Sequence, residues 1–279
     1  MQPYVISLSS IPSRFDLLCQ TLERLARQSV QAEKISVYIP KSYKRFPDWD
    51  GTLPSVRGGV DIVRCDEDFG PATKLLPALI DHSGQDIDIL FCDDDMDYPK
   101  NWASWFLRQR SRQPQACIAL VGENAIGVPG QQRQRPPMPR PLLLWASTNP
   151  EYWGRRWGEA LRCRWLGAPR RYLGRRCYLT GGFQDMFQGF GGVLVKPSFF
   201  DDTVFDIPAD LWSVDDYWLS GCAVKNGHAV WVIPMRREPD SFPFAAQDAL
   251  TDAVIGGFDR DAANTHAERY LRERFDIWN

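Results

Sequence analysis

No stretch of about 18 or more consecutive apolar residues occurs in the 279-residue chain, so nothing in it reads as a membrane-spanning helix. Met1-Gln2-Pro3 runs straight into a short apolar strand with no basic-then-apolar leader. The expectation is a soluble, unexported, cytoplasmic protein, at most peripheral at a membrane surface. The seven cysteines (19, 65, 92, 117, 163, 177 and 222) contain no Cys-x-x-Cys pair, which speaks against zinc and predicts reduced, mostly buried thiols. No Gly-x-x-x-x-Gly-Lys-Ser/Thr loop is present, which removes the P-loop nucleotide-hydrolysing classes. No internal repeat or low-complexity tract occurs either. What remains, at 44% hydrophobic content, is a chain able to bury a full core as one large domain, with or without an elaborated insertion.

The net charge of −2 conceals an asymmetry. Residues 129–180 carry eleven arginines (133, 135, 140, 155, 156, 162, 164, 170, 171, 175 and 176), no lysine, and only Glu151 and Glu159 in opposition. That segment is therefore +9 and the remainder −11. Arginine chosen over lysine favours forked recognition of phosphate or carboxylate. The alternative is that these arginines pair with the acidic remainder of the same protein.

Ahead of that segment, strands and helices alternate. Residues 4–8, 34–39, 60–65, 87–92 and 116–121 read as strands, and helices are signalled by Leu18, Leu22 and Leu25, by Leu75, Leu76 and Leu79, and by Trp102 and Phe106. Such alternation implies a mainly parallel sheet, whose ligands bind at the carboxyl ends of the strands. Periodicity fades at 129–180, which predicts an insertion, and resumes with a strand at 190–195, a helix at 213–225, a strand at 229–233 and a polar helix at 261–275.

The fourth strand ends in Cys92-Asp93-Asp94-Asp95-Met96-Asp97, four carboxylates in five residues. Carboxylates crowded at a strand end repel one another and lose hydration, which a hard divalent cation, Mg²⁺ or Mn²⁺, would compensate. Such a cation commonly takes phosphate oxygens as further ligands, pointing to a nucleotide-activated substrate. The plain alternative is a solvated acidic turn.

These features, together with residues 5–14, Asp68-Phe69-Gly70-Pro71-Ala72-Thr73-Lys74, Gly189-Phe190-Gly191-Gly192 and Val214-Asp215-Asp216-Tyr217-Trp218, resemble a GT-A-type glycosyltransferase. More narrowly, they resemble the large inverting family of bacterial polysaccharide and lipopolysaccharide transferases. The resemblance spans residues 4–235. It implies an α/β, Rossmann-like fold with a mainly parallel sheet, helices on both faces and an Arg/Trp-rich insertion. The implied organisation is a nucleotide-sugar-binding half (1–128), a basic acceptor-side insertion (129–180), and a catalytic half with a C-terminal helix (181–279).

The resemblance also implies roles. Asp95 and Asp93 would hold the metal; Asp93, Asp94, Ser7, Ser9, Arg14 and Lys74 would hold the donor; Gly191, Gly192 and Trp212 would face the acceptor, and the arginine density of 129–180 adds Arg155 and Arg156 to that side. Lys74 is also readable as an ordinary exposed lysine. Asp216, or else Asp215, would be the base that takes the acceptor's hydroxyl proton. Ser213 with Asp216 three residues on also fits a capping box, which would make Asp216 structural. Relatives carry a histidine after the last core strand, and here that stretch reads Pro234-Met235-Arg236-Arg237-Glu238. His266, folding back, is the candidate replacement, whereas His82 and His228 read as structural.

The function implied is metal-dependent, inverting transfer of a sugar from a nucleoside diphosphate sugar to a hydroxyl acceptor. The acceptor would be an anionic or lipid-linked glycan, with nucleic acid stacked on the tryptophans a lesser alternative. Two other readings compete: a metal-dependent phosphotransferase or nuclease, and a glycan- or nucleic-acid-binding module with a vestigial site.

Overall fold

Tyr4–Ser9 (β1) is buried along nearly its whole length, as a strand at the middle of a two-faced sheet must be. In the structure, a computed structural model that describes residues 3–56, 58–125, 137–248 and 260–278, β1 pairs in parallel with Lys34–Pro40 (β2) and Asp88–Phe91 (β4). Asp61–Cys65 (β3) adds outside β2, also in parallel. Beyond β4 lie Val193–Val195 (β10), Cys117–Ala119 (β6), Val230–Val232 (β11) and Gly182–Gln184 (β8), giving the order β3-β2-β1-β4-β10-β6-β11-β8. Four of the seven pairings are parallel, and β10 runs antiparallel to both its neighbours. The α/β architecture expected from the alternation is the one present. Because β10 sits between β4 and β6, strands from before and after the basic segment build one sheet, with one core cluster on each face.

Leu18–Ala26 (α1) and Trp102–Arg110 (α3) pack Leu18, Leu22, Leu25, Trp102 and Phe106 on Tyr4, Ile6 and Leu8, one face of β1. The opposite face, through Val5, Ile89 and Phe91, is covered by Leu76–Asp81 (α2), Asp215–Lys225 (α5) and Arg260–Phe275 (α6). Helices thus lie on both faces. At the amino end of β4, Asp88 is fully buried against Arg110, whose guanidinium also donates to the Ala116 and Leu194 carbonyls. One ion pair there ties α3 to β4, β6 and β10. A short ladder of Met96–Asp97 (β5) with Asp240–Ser241 (β12), and another of Gly122–Glu123 (β7) with Met186–Phe187 (β9), extend the carboxyl edge.

The described part of the basic segment, residues 137–180, contains one long helix, Pro150–Leu166 (α4). Asn149 caps it through its side chain, Pro150 opens it, and Gly167 ends it in the left-handed region. Arg133 and Arg135 lie outside the described residues. The cysteines are all free, but only Cys92, Cys117 and Cys222 are buried; Cys19 is exposed, because the helix face it occupies is the one turned away from the core.

Candidate active site

The carboxyl end of β4 opens into a cavity of about 760 Å³. Ser9, Arg14, Lys74, Asp93, Asp94, Asp95, Trp212, Asp215 and Asp216 all line it, so one space collects most of the residues singled out from sequence.

At its floor is Lys74. A short 3₁₀ turn, Gly70–Lys74, precedes α2 and turns this side chain inward, leaving it only 4% exposed. Its ammonium donates to Asp93 Oδ1 at 2.6 Å and lies 2.9 Å from Asp215 Oδ2 and 3.9 Å from Asp216 Oδ1. The Asp215 contact is an ion pair by distance without hydrogen-bond alignment. Burial works to lower the lysine's pKa, but Asp215, Asp93 and Asp216 outweigh it and hold the value well above the usual range. Lys74 is therefore no exposed lysine. It is the tie between the acidic strand end and the start of α5.

Asp216 lies in the first turn of α5. The helix is preceded by Val214 with no side-chain cap, and Asp216 Oδ1 accepts from the Gly189 amide at 2.9 Å. A Cβ on Gly189 would stand 2.3 Å from Lys74 Nζ and 3.0 Å from Asp216 Oδ1, so only glycine permits this approach. The Asp216 side chain is 12% exposed and that of Asp215 4%, which makes Asp216 the more accessible carboxylate from the cavity.

Arg14 is the second cation. Its Nη1 bridges Asp94 Oδ1 and Asp95 Oδ2, each at 2.9 Å, while Nε and Nη2 donate to the Gln247 and Ala245 carbonyls. The side chain expected to touch the donor is thus committed to bracing the acidic loop against the 245–247 segment. Asp94 also accepts from Ser10 Oγ, and its backbone oxygen from Thr21 Oγ1 of α1. Burial raises the pKa of Asp94 against the opposing pull of Arg14. Burial, with Asp94 and Asp93 alongside, pushes Asp95 up to about 7.

Five carboxylates (Asp93, Asp94, Asp95, Asp215 and Asp216) meet Lys74 and Arg14 at this end of the cavity, a formal excess of three negative charges that the raised values of Asp94 and Asp95 reduce. A hard divalent cation suits that excess, since such ions take one or two carboxylates and complete their shell with phosphate and water. Asp93 and Asp95 both line the cavity and could supply them. Among the described residues, no three His, Cys, Asp or Glu side chains converge on a common metal position. His266 does not replace the missing histidine: it pairs with Asp210 and accepts from Arg269. His82 and His228 bond Gln85 and the Gln115 carbonyl, as structural histidines do.

Other expected contacts are not brought to the cavity. Ser7 is buried beneath it, its hydroxyl donating to the Lys74 carbonyl at 2.6 Å. Gly191 and Gly192 turn into the core, where a Cβ would meet Val121 and Trp102; Gly192 also has φ +93°. Arg155 is spent on Asp240 and the Gly174 carbonyl. Arg156 lies over Trp153 and lines a second cavity of about 570 Å³ behind α4. Conversely, Glu123, Arg170, Arg171, Tyr172, Arg176, Gln188 and Glu238 line the main cavity without having been singled out. Only the arginine density of 129–180 pointed towards three of them, Arg170, Arg171 and Arg176.

The arginines of the insertion divide. Arg140, Arg155 and Arg176 pair with Asp185, Asp240 and Glu123 of the acidic remainder, and Arg162 and Arg171 share Glu159. Among the described residues, Arg156, Arg164, Arg170 and Arg175 form no side-chain ion pair.

No protein-family profile matches the chain, and no curated protein does. Among solved structures it is similar to S. aureus TarS 1-349 in complex with UDP, at 12% identity and TM-score 0.43, covering 85% of this chain and 59% of that one. A crystal structure of S. aureus TarS matches at 14% identity and TM-score 0.44, over 87% of this chain and 36% of that one. A further TarS 1-349 structure matches at 12% identity and TM-score 0.44, over all of this chain and 74% of that one. The chain therefore spans less than two thirds of the first two structures, and a likeness of this degree says nothing about chemistry.

Proposed function

We propose that the protein transfers a sugar from a nucleoside diphosphate donor to a hydroxyl acceptor, with inversion and with a divalent cation, Mg²⁺ or Mn²⁺. The observation that carries this reading is the meeting of two acidic groups, Asp93–Asp95 at a strand end and Asp215–Asp216 at a helix start, across Lys74 in one cavity. One acidic group suits a leaving diphosphate neutralised by metal, and the other suits a base for the acceptor.

Asp93 and Asp95 would hold the cation, which supplies charge stabilisation to the departing diphosphate. Arg14 fixes Asp94 and Asp95, and Thr21 fixes the loop backbone, so the ligands are oriented before the donor arrives. Asp216 takes the acceptor's hydroxyl proton as the new oxygen–carbon bond forms and the bond from the anomeric carbon to the phosphate oxygen breaks. The nucleoside diphosphate leaves with that electron pair. The Gly189 amide and Lys74 hold Asp216 in place. Ser9, Tyr43, Phe46 and Trp212 form walls suited to nucleoside and sugar faces.

The test is donor hydrolysis. The full chain is incubated with a panel of nucleoside diphosphate sugars and Mn²⁺, and released nucleoside diphosphate is measured. Release from at least one donor, lost in Asp95→Ala, is expected; no release from any donor, with or without candidate acceptors, would leave the binding-module reading in its place.

A further inference from the structure

Helix α4 carries apolar side chains on the side turned to solvent. Trp153, Trp157, Leu161 and Trp165 recur every fourth residue, which on a helix places them on one continuous stripe. They are 43, 69, 53 and 77% exposed, and Leu166 beside the last is also 77% exposed. The opposite side is the one that packs: Tyr152 and Glu159 are buried, and Arg155 reaches Asp240. A core helix would show the reverse pattern. Trp145, just before the helix, is 68% exposed as well.

Charge says what covers the stripe. Arg164 lies within it and Arg156 at its margin, over Trp153. The two acidic residues of the helix are elsewhere: Glu159 is buried against Arg162 and Arg171, and Glu151 sits near Arg237. A second copy docking through the same stripe about a two-fold axis would bring these arginines against one another. An anionic bilayer surface meets both demands at once, because indoles settle at the headgroup level and guanidiniums pair with lipid phosphates. No described helix is long and apolar enough to cross a membrane, so the contact would be one of lying on the surface.

We propose that the Trp153–Trp157–Leu161–Trp165 stripe of α4 is a docking surface for anionic membranes. It holds the protein with α4 flat in the headgroup region. The helix also walls the second cavity from its packed side, and that cavity shares Arg170, Arg171 and Tyr172 with the main one. The proposal does not depend on the glycosyl-transfer reading.

The experiment is co-sedimentation of the full chain with sucrose-loaded vesicles of phosphatidylcholine alone or with 30 mol% phosphatidylglycerol (roughly the anionic fraction needed for a strong surface potential). Tryptophan quenching by brominated lipid is followed in parallel. Wild-type protein is expected to bind the anionic vesicles, more weakly as salt rises, with quenching. Trp157→Glu/Trp165→Glu should bind about tenfold or more weakly, and Arg164→Gln a few-fold more weakly on anionic vesicles only. Both sites are exposed, and unchanged circular dichroism and Tm will show that the variants fold. Absence of wild-type binding overturns the proposal, as does equal binding by the double variant. A wild-type dimer in solution that the double variant dissociates also overturns it, since a second copy would then be the occupant.

Discussion

The cavity below β4 and the insertion around α4 both crowd like charges, yet they settle them differently. In the cavity, Lys74 and Arg14 are each shared among carboxylates and almost wholly removed from water. In the insertion, several arginines are exposed and the tryptophans face outward. A charge withdrawn from water must be paired, whereas an exposed one need not be, so the first region is fixed from within and the second is left to be completed from outside.

The sharpest way to break the cavity is to remove its shared cation. Lys74→Met leaves Asp93, Asp215 and Asp216 facing one another without an ammonium, and should cost about 3–5 kcal/mol in urea unfolding. Adding Asp215→Asn to that variant should restore part of the loss, because it relieves the repulsion. Full additivity of the two changes would mean that they do not share an interaction.

Asp216→Asn keeps the shape and should cut turnover by about two orders of magnitude or more, with donor binding retained. The same change at Asp215 should cost less turnover, since Asp215 is the deeper of the two. A larger loss at Asp215 would transfer the base role to it.

In the insertion the expected effects are smaller. Glu159, with Arg162 and Arg171 bonded to it, is held down to about 2. Its folded value lies below the unfolded value of about 4.3, so its stabilisation is full above that pH and lost as pH falls towards 2. With both arginines partly in water, the contribution is about 1–2 kcal/mol. Tryptophan fluorescence of wild type should report loosening of α4 across that window, and Glu159→Gln should be loosened already at neutral pH. Arg155→Ala should lower stability by about 1 kcal/mol and leave the salt dependence of acceptor kinetics unchanged, because Arg155 is bound to Asp240 and not presented to a ligand.

The two regions also differ in how far they were legible. The acidic strand end was plain, because a buried apolar run that stops in carboxylates delivers charge to one end of the sheet whatever the rest of the chain does. Burial of Lys74 was hidden: it depends on a 3₁₀ turn preceding the helix and on carboxylates 19 and more than 140 residues away. The spacing from Ser213 to Asp216 suggested a cap, and gave no sign that the Gly189 amide, supplied by a turn 27 residues earlier, would bond the carboxylate. The antiparallel insertion of β10 between β4 and β6 leaves no local trace either. In the insertion, α4 was missed although Trp153, Trp157, Leu161 and Trp165 recur every fourth residue, because the Pro, Arg and Gly residues around them weaken the period.

The most direct test of the account is calorimetric titration of nucleoside diphosphates into wild type, Asp95→Ala and Asp97→Ala, each with and without Mn²⁺. Asp97 belongs to the same acidic run but is paired with Arg24 at 2.7 Å, so it serves as the control. The account predicts that at least one diphosphate binds wild type and Asp97→Ala only when Mn²⁺ is present, and that Asp95→Ala loses this binding. Binding that ignores Mn²⁺, or that falls equally in both variants, would contradict it.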